Sequence, residues 1–380
     1  MKKIRVGFVS DTLYPYMKGG VETLRYVEMH GLSGYYDIYS FSMLFDGMKR
    51  RFMKGGIHHI AFGRTSQKRF YRHGRRSITN AIKFAALLPL YLFRYRFDVL
   101  EVNAFPYLHI PAVKLYCAAT GCKFVLSVSE VWDRGYWKGY LGALGLLGFA
   151  ADMFEKWTLK MADSYITISS ATTRKLERIG VERKKIHEFS PVLDIAWMQR
   201  SAPPAKRNMT VVFAGRMIKE KRVDRWLDVF KAASRLAPGL SGVLVGEGPE
   251  EGRIREAIAR KGLEKSVEFR PFYKTKRELY RLIRGSSLLL NMSEREGLSI
   301  IALEGIALGT PVVLPSYTPI PPEVKGMCVV GGMKELPGIV AKIAKSGDKG
   351  AFIKNVENLD MFSTANTPIF YKKLFKSLGL

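Results

Sequence analysis

At 380 residues the chain is long enough for two domains with separate hydrophobic cores, and 47% hydrophobic with 25% charged residues excludes a disordered chain. Its 61 Lys and Arg against 34 Asp and Glu leave a formal charge of +27, which calls for a polyanionic partner: an anionic lipid surface, a phosphorylated carrier or nucleic acid. The three cysteines, Cys117, Cys122 and Cys328, lack metal or redox spacing and read as reduced core residues, and the six histidines form no metal-binding pattern.

No secretory leader is expected, because Lys2 and Lys3 precede only a short apolar run at residues 6–9. The longest apolar stretches, residues 84–93 and 141–151, are about half a bilayer span. A cytoplasmic protein, peripheral on the inner membrane face, is the expectation. In chain order, residues 4–9 form a short apolar run ending at Ser10-Asp11, a first strand of a parallel sheet. A loop with Pro15 and the pair Gly19-Gly20 follows, then a helix over 21–30 with Val21, Leu24 and Val27 on one face. Glycines before a helix offer backbone N–H donors to an anion. A second strand is expected at 36–41.

Between Gly47 and Phe97 there is no Asp or Glu, while thirteen Lys and Arg occur, among them Arg69, Arg72, Arg75 and Arg76. Phe70, Tyr71, Phe84, Tyr91, Phe93, Tyr95 and Phe97 are interleaved with them, a pattern that suits an anionic membrane surface at least as well as RNA. Further strands are expected at 99–102, 123–128, 164–168 and 186–189, separated mostly by helices, which is the alternation of a doubly wound α/β domain. Residues 191–204, with Ser201-Ala-Pro-Pro204, read as a linker. The alternation restarts with strands at 210–214, 242–245, 266–269 and 288–290 and helices at 223–232, 253–261 and 277–284. A last helix is expected at 368–378.

The most informative stretch is residues 288–313, LLLNMSEREGLSIIALEGIALGTPVV. An apolar strand runs into a polar turn with Glu296 and Gly297, and a helix carrying Glu304 follows from Ser299. Gly309 ends that helix, and Thr310-Pro311 leads into a strand at 312–314. Strand, glycine turn and helix N-terminus make an anion site. Upstream lie VVFAGRMIKEK at 211–221, GVLVGEGP at 242–249 and KGGVE at 18–22. These four segments, in this order, resemble the signatures of glycosyltransferase family 4, retaining group 1 enzymes of the GT-B fold that use activated, usually nucleotide-linked, sugars.

The resemblance implies two Rossmann-like domains facing a cleft: 1–195 for the acceptor, 196–361 for the donor, and a helix in 362–380 crossing back to the first. It assigns Arg216 and Lys221 to the diphosphate and Glu296 to hydroxyls of the donor sugar, the three residues expected to carry catalysis. Glu304 would contact the ribose. Gly19, Gly20, Gly215, Gly246, Gly297, Leu298 and Ser299 would complete the donor site. Expelling a nucleoside diphosphate requires neutralising its charge with a metal or with fixed cations and N–H donors. The chain has no Asp-x-Asp motif, so a metal-independent reaction is expected, with the nucleotide sugar as substrate and no separate cofactor.

Many relatives carry a His-Asp or His-Glu pair after the strand at 123–128. Here the match is Ser129-Glu130, which stand, with Trp132 and Asp133, on the acceptor side. The acceptor is expected to be lipid-linked or an otherwise anionic glycan, with no nucleic-acid partner. The alternative is a weak or inactive GT-B scaffold that binds nucleic acid or a membrane surface. The run Gly246-Glu-Gly-Pro-Glu-Glu-Gly252 imitates a dinucleotide fingerprint, but Pro249 and three glutamates crowd the pyrophosphate position.

Overall fold

A computed structural model describes residues 3–17, 19–72, 75–132, 134–141, 147–203 and 208–380. Lys18, Asp133, residues 142–146 of the second apolar stretch and the side chain of Arg72 lie outside the described residues. The chain divides into unit 1, Met1–Val192 with Ser363–Leu380, and unit 2, Leu193–Phe362, where 195/196 and 361/362 were the expected divisions.

Unit 1 runs β1 (Arg5–Val9), α1 (Gly20–Leu32), β2 (Asp37–Met43), β3 (Arg51–Lys54), β4 (Ile57–Phe62), α2 (Gln67–Phe70), β5 (Tyr71–Arg72), β6 (Arg75–Arg76) and α3 (Ile78–Leu92). It continues with β7 (Val99–Asn103), α4 (Ile110–Thr120), β8 (Lys123–Val128), α5 (Arg134–Leu141), α6 (Gly148–Thr158), β9 (Ser164–Thr167), α7 (Ser170–Arg178) and β10 (Ile186–Glu188). The main sheet has the order β10-β9-β8-β7-β1-β2-β4-β3, parallel except for β3, which pairs antiparallel with β4 at the edge. The inner strands are apolar on both faces, as helices on both sides require. In β7, for example, Val99, Leu100 and Val102 are all fully buried.

Unit 2 begins with α8 (Ile195–Ser201), a helix inside the segment read as linker. Asp194 caps it, its carboxylate accepting from the Trp197 N–H at 2.9 Å. Then come β11 (Thr210–Ala214), α9 (Val223–Leu236), β12 (Ser241–Val245), α10 (Glu251–Arg260), β13 (Val267–Arg270), α11 (Lys276–Gly285) and β14 (Leu288–Leu290). The unit closes with α12 (Ile300–Ala307), β15 (Val312–Pro315), α13 (Pro322–Lys325), β16 (Val329–Gly331) and α14 (Leu336–Lys345). Its sheet is parallel with the order β13-β12-β11-β14-β15-β16. Trp226 and Phe230 of α9 stack at 5.1 Å against this sheet, and a Cβ at Gly242 in β12 would stand 2.8 Å from the Trp226 ring.

The last helix, α15 (Thr367–Ser377), belongs to unit 1, where Tyr371, Leu374 and Phe375 join its core. Tyr371 Oη donates to Glu101 Oε2 at 2.5 Å. Glu101 also accepts from Ser127 at 2.6 Å and from Arg25, which faces Glu28 at 2.8 Å. Two glutamates around one arginine are thus fully buried, and burial raises the Glu28 pKa.

Candidate donor site and acceptor side

In unit 2 the chain proceeds from β11 outward to β12 and β13, then returns to β14 on the other side of β11. The strand order reverses there, and in open α/β sheets ligands bind outside the carboxyl ends of the strands at such a reversal, here β11 and β14. The loops after these two strands carry most of the expected donor-site residues.

Lys221 ends the loop after β11, and its Nζ lies 2.5 Å from Glu296 Oε1 in the loop after β14. Both side chains are largely withdrawn from solvent, at 20% and 11% exposure. Two further ties hold the loops together: the Glu294 N–H donates to the Glu220 carbonyl at 2.9 Å, and Arg222 pairs with Glu294. Asn291, at the end of β14, was not singled out from sequence. Its Nδ2 donates to Ser299 Oγ at 2.9 Å and reaches Glu296 Oε1 at 3.4 Å, while its Oδ1 accepts from the Ser293 N–H. An Asn after an apolar run ordinarily signals only a turn, so no local signal set it apart.

Ser299 caps α12 from the left-handed region at φ 63°, a conformation that costs an L-residue about 1–3 kcal/mol. Leu298 beside it is buried, and Gly297 is half-buried. Glu304, inside α12, is 3% exposed and is held by Lys276 Nζ at 2.6 Å and Tyr280 Oη at 2.8 Å, both on Oε1. These two residues, one turn apart on α11, were also missed.

Arg216 is exposed on the loop after β11, next to Gly215. Gly246 has a structural reason to be glycine: at φ 156° its Cβ would stand 1.8 Å from the Gly215 carbonyl oxygen. Gly248 likewise lies against Met217. The glycine run after β12 therefore packs on the Gly215–Met217 loop and shapes it.

In unit 1 the reversal lies between β1 and β7. Gly19 caps α1 in extended conformation and Gly20 opens it. A Cβ on Gly19 would meet the Glu22 carboxylate at 2.3 Å, so this glycine leaves room for Glu22. Glu22 Oε1 accepts from Thr12 at 2.9 Å and from Arg76 at 3.3 Å, and Arg76 also binds Asp11 Oδ1 at 2.7 Å. Burial pushes Asp11 up to about 6, against the pull of Arg76.

This corrects the basic patch. Arg69 and Arg75 are exposed, but Arg76 is 14% exposed and neutralises two buried carboxylates. Of the interleaved aromatics, Phe70, Phe84 and Phe97 lie in the core of unit 1. Ser129 and Glu130 are half-buried after β8. The Ser129 carbonyl accepts from Thr172, and Glu130 Oε2 accepts from the Trp132 indole N–H at 3.0 Å. Among the described residues no group of three or more His, Cys, Asp and Glu could hold a metal, and no helix is long and apolar enough to cross a membrane.

The family model for glycosyl transferases group 1 matches residues 196–333, and that for Glycosyltransferase Family 4 matches residues 52–197. The two are contiguous across both units, and the chain belongs to the family 4, group 1 glycosyltransferases of GT-B fold. It is similar to the GDP-mannose-dependent alpha-(1-6)-phosphatidylinositol dimannoside mannosyltransferase of Mycobacterium tuberculosis, 27% identical over 44% of this chain and 39% of that protein. It is also similar to the 2-deoxystreptamine glucosyltransferase of Streptomyces kanamyceticus, 26% identical over 50% of this chain and 52% of that one. The chain thus spans about half or less of these curated relatives. Among solved structures, Anabaena HepE in complex with UDP and glucose shares the fold, with a TM-score of 0.68 and 15% identity over 98% of this chain and 100% of that one.

Proposed function

We propose that the protein is a retaining glycosyltransferase that moves a sugar from a nucleoside diphosphate to a hydroxyl of a lipid-linked or other glycan acceptor. The observation that carries this reading is the Lys221–Glu296 pair at the strand-order reversal of unit 2, with Arg216 on the same loop as Lys221. A cation pair beside backbone N–H donors offsets charge that grows on a departing diphosphate. Glu296, held by Lys221 and Asn291, offers an acceptor to the hydroxyls of the transferred sugar, and Glu304 offers one to the ribose. Transfer then needs no divalent metal, and the leaving phosphate takes the acceptor's proton.

Action at a membrane surface is supported by the charge of +27 and by two exposed apolar stripes. On and just after α3, Ile78, Ile82, Leu90 and Phe93 are 48–60% exposed beside Arg75, Lys83 and Arg94. On α6, Phe149, Met153 and Trp157 are 51–55% exposed beside Lys156 and Lys160. The alternative, an inactive scaffold, leaves the joint presence of Arg216, Lys221, Glu296 and Glu304 without a purpose. The deciding experiment is a hydrolysis and thermal-shift screen over nucleotide sugars with and without EDTA. Turnover of at least one donor that survives chelation supports the reading. No stabilisation by any nucleotide or nucleotide sugar sinks it.

A further inference from the structure

In unit 1 the carboxyl ends of β1, β7 and β8 carry a group of side chains that donor binding leaves unused. Asp11 follows β1, Phe105 follows β7, Glu130 and Trp132 follow β8, and α5 adds Tyr136 and Tyr140. Arg76 joins them. Its guanidinium binds Asp11 and lies 5.0 Å over the Phe105 ring, and its backbone N–H donates to Tyr140 Oη at 3.0 Å.

The rings form one continuous wall: the Trp132 ring centre is 4.8 Å from Phe105, 4.5 Å from Tyr136 and 5.0 Å from Tyr140. Here Tyr107 and Trp137 behind the wall are buried, whereas Phe105, Trp132, Tyr136 and Tyr140 keep part of their surface in solvent. The wall is also fixed in place. Buried Glu155 accepts from Tyr107 Oη at 2.7 Å, the Trp132 N–H at 2.8 Å and Trp137 Nε1 at 2.6 Å. A fixed wall loses little entropy when a ligand settles on it.

Carboxylates border the rings. Asp11 is 2% exposed, and its Oδ2 is bonded to no other residue among the described ones. Glu22 shares Arg76 with Asp11, and Glu130 holds the Trp132 indole. Arg76 is occupied by the two carboxylates and Lys175 by the Val131 carbonyl at 3.0 Å, while Arg134 and Lys138 of α5 are exposed. A flat apolar wall edged by hydrogen-bond acceptors matches a ring with a C–H face and a hydroxyl rim. An anion on the wall would meet the Glu130 carboxylate that holds the Trp132 indole.

We propose that Asp11 and the wall of Phe105, Trp132, Tyr136 and Tyr140 seat a neutral pyranose, the terminal sugar of the acceptor, with its C–H face on the rings and one hydroxyl donating to Asp11 Oδ2. The acceptor's anionic part, whether phosphate or lipid headgroup, then lies away from this seat. The assignment to the acceptor rests on the glycosyltransferase reading, while the sugar seat can be tested without it.

The test is saturation-transfer-difference NMR on the full chain with methyl α-glucoside, methyl α-mannoside, methyl α-galactoside and glucose 6-phosphate. At least one neutral glycoside should draw saturation from the aromatic side chains, and glucose 6-phosphate should draw less. Trp132→Ala should weaken that glycoside about fivefold to tenfold, while Trp132→Phe, which keeps a ring, stays within about threefold of wild type. Should Trp132→Ala melt early, Tyr136→Ala at the open end of the wall carries the same comparison. No transfer to any glycoside, an unchanged signal in the folded alanine variant, or a preference for the phosphate overturns the proposal. So does displacement of the glycoside by saturating UDP, which would place it in the donor seat. UDP binding by the wild type is measured separately: its absence sinks the glycosyltransferase reading and leaves the sugar seat to its own result.

Discussion

Glu304 is nearly inaccessible, yet both of its contacts, from Lys276 and Tyr280, fall on one carboxylate oxygen. A carboxylate held from behind in this way is oriented for something in front of it, and that argues for a ribose hydroxyl. Glu304→Ala and Arg216→Ala should each weaken nucleotide-sugar binding by about 1.5–3 kcal/mol, the worth of a charge-assisted contact. Isothermal titration with the donor found in the screen reads the loss directly, and unchanged affinity in both variants contradicts the assignment. Part of the site was legible in the sequence: Glu296, Arg216 and Lys221 lie in turns after strand-like runs, Glu304 lies in the helix that follows, and the resemblance of these segments to family 4 singles them out. Asn291, Lys276, Tyr280 and Asp11 were not legible, because a residue that orients another across the fold leaves no local pattern. Arg76 misled for the same reason: its neighbours in sequence are basic, but its partners Asp11 and Glu22 lie far away in the chain.

At the scale of elements, the strands at 123–128, 210–214 and 288–290 fall at the bounds their composition suggested. Short β-branched or aliphatic runs between polar turns have no competing reading. The β3–β4 hairpin was missed because the edge strand β3 exposes Arg51, Met53 and Lys54 and so shows no buried face. α8 was missed because Pro191 and Pro203-Pro204 made its surroundings read as linker. The glycine run after β12 had a deceptive pattern and a plain explanation, the close approach of the Gly215 carbonyl. Gly246→Ala must therefore move the loop that carries Arg216. We expect donor affinity to fall about tenfold or more while both sheets persist, to be read as titration calorimetry beside far-UV circular dichroism. Wild-type affinity in this variant would disconnect the turn from the donor site.

For the whole molecule, charge and protonation set the conditions. If the stripes on α3 and α6 meet an anionic bilayer, each basic residue at the surface contributes about 1 kcal/mol. Binding to anionic vesicles should then be strong at low salt and fall steeply as salt is added, with little binding to neutral vesicles. Trp157→Glu with Met153→Glu should release the protein from vesicles in a sedimentation assay, and undiminished binding excludes α6 as the contact. Acid acts on the interior. His109 and His59 are each pushed down to about 4, chiefly by burial, with the charge of Arg76 adding at His109 and those of His30, Lys54 and His58 at His59. The unfolded chain takes up these protons below pH 6.5 while the folded chain refuses them until about 4. Stability is therefore complete above pH 6.5 and drains away between 6.5 and 4, by about 2 kcal/mol per histidine at pH 5. Asp11, raised from 3.8 to about 6, works in the opposite sense, so the comparison must be between variants. Urea unfolding of His109→Gln should lose less stability between pH 7 and pH 5 than the wild type, and equal losses would clear His109.

The attachment of α15 to unit 1 also imposes an order on birth. A ribosome releases residues 3–192 before unit 2, but the seat for Tyr371, Leu374 and Phe375 stays open until α15 arrives. Until then Glu101 lacks its Tyr371 hydroxyl, one of the donors that hold the buried charges around Arg25. Unit 2, continuous from Leu193 to Phe362, can complete itself in the meantime. The half made first is thus the half finished last, and a nascent chain halted at Phe362 presents the cell with one closed domain and one still waiting for its final helix.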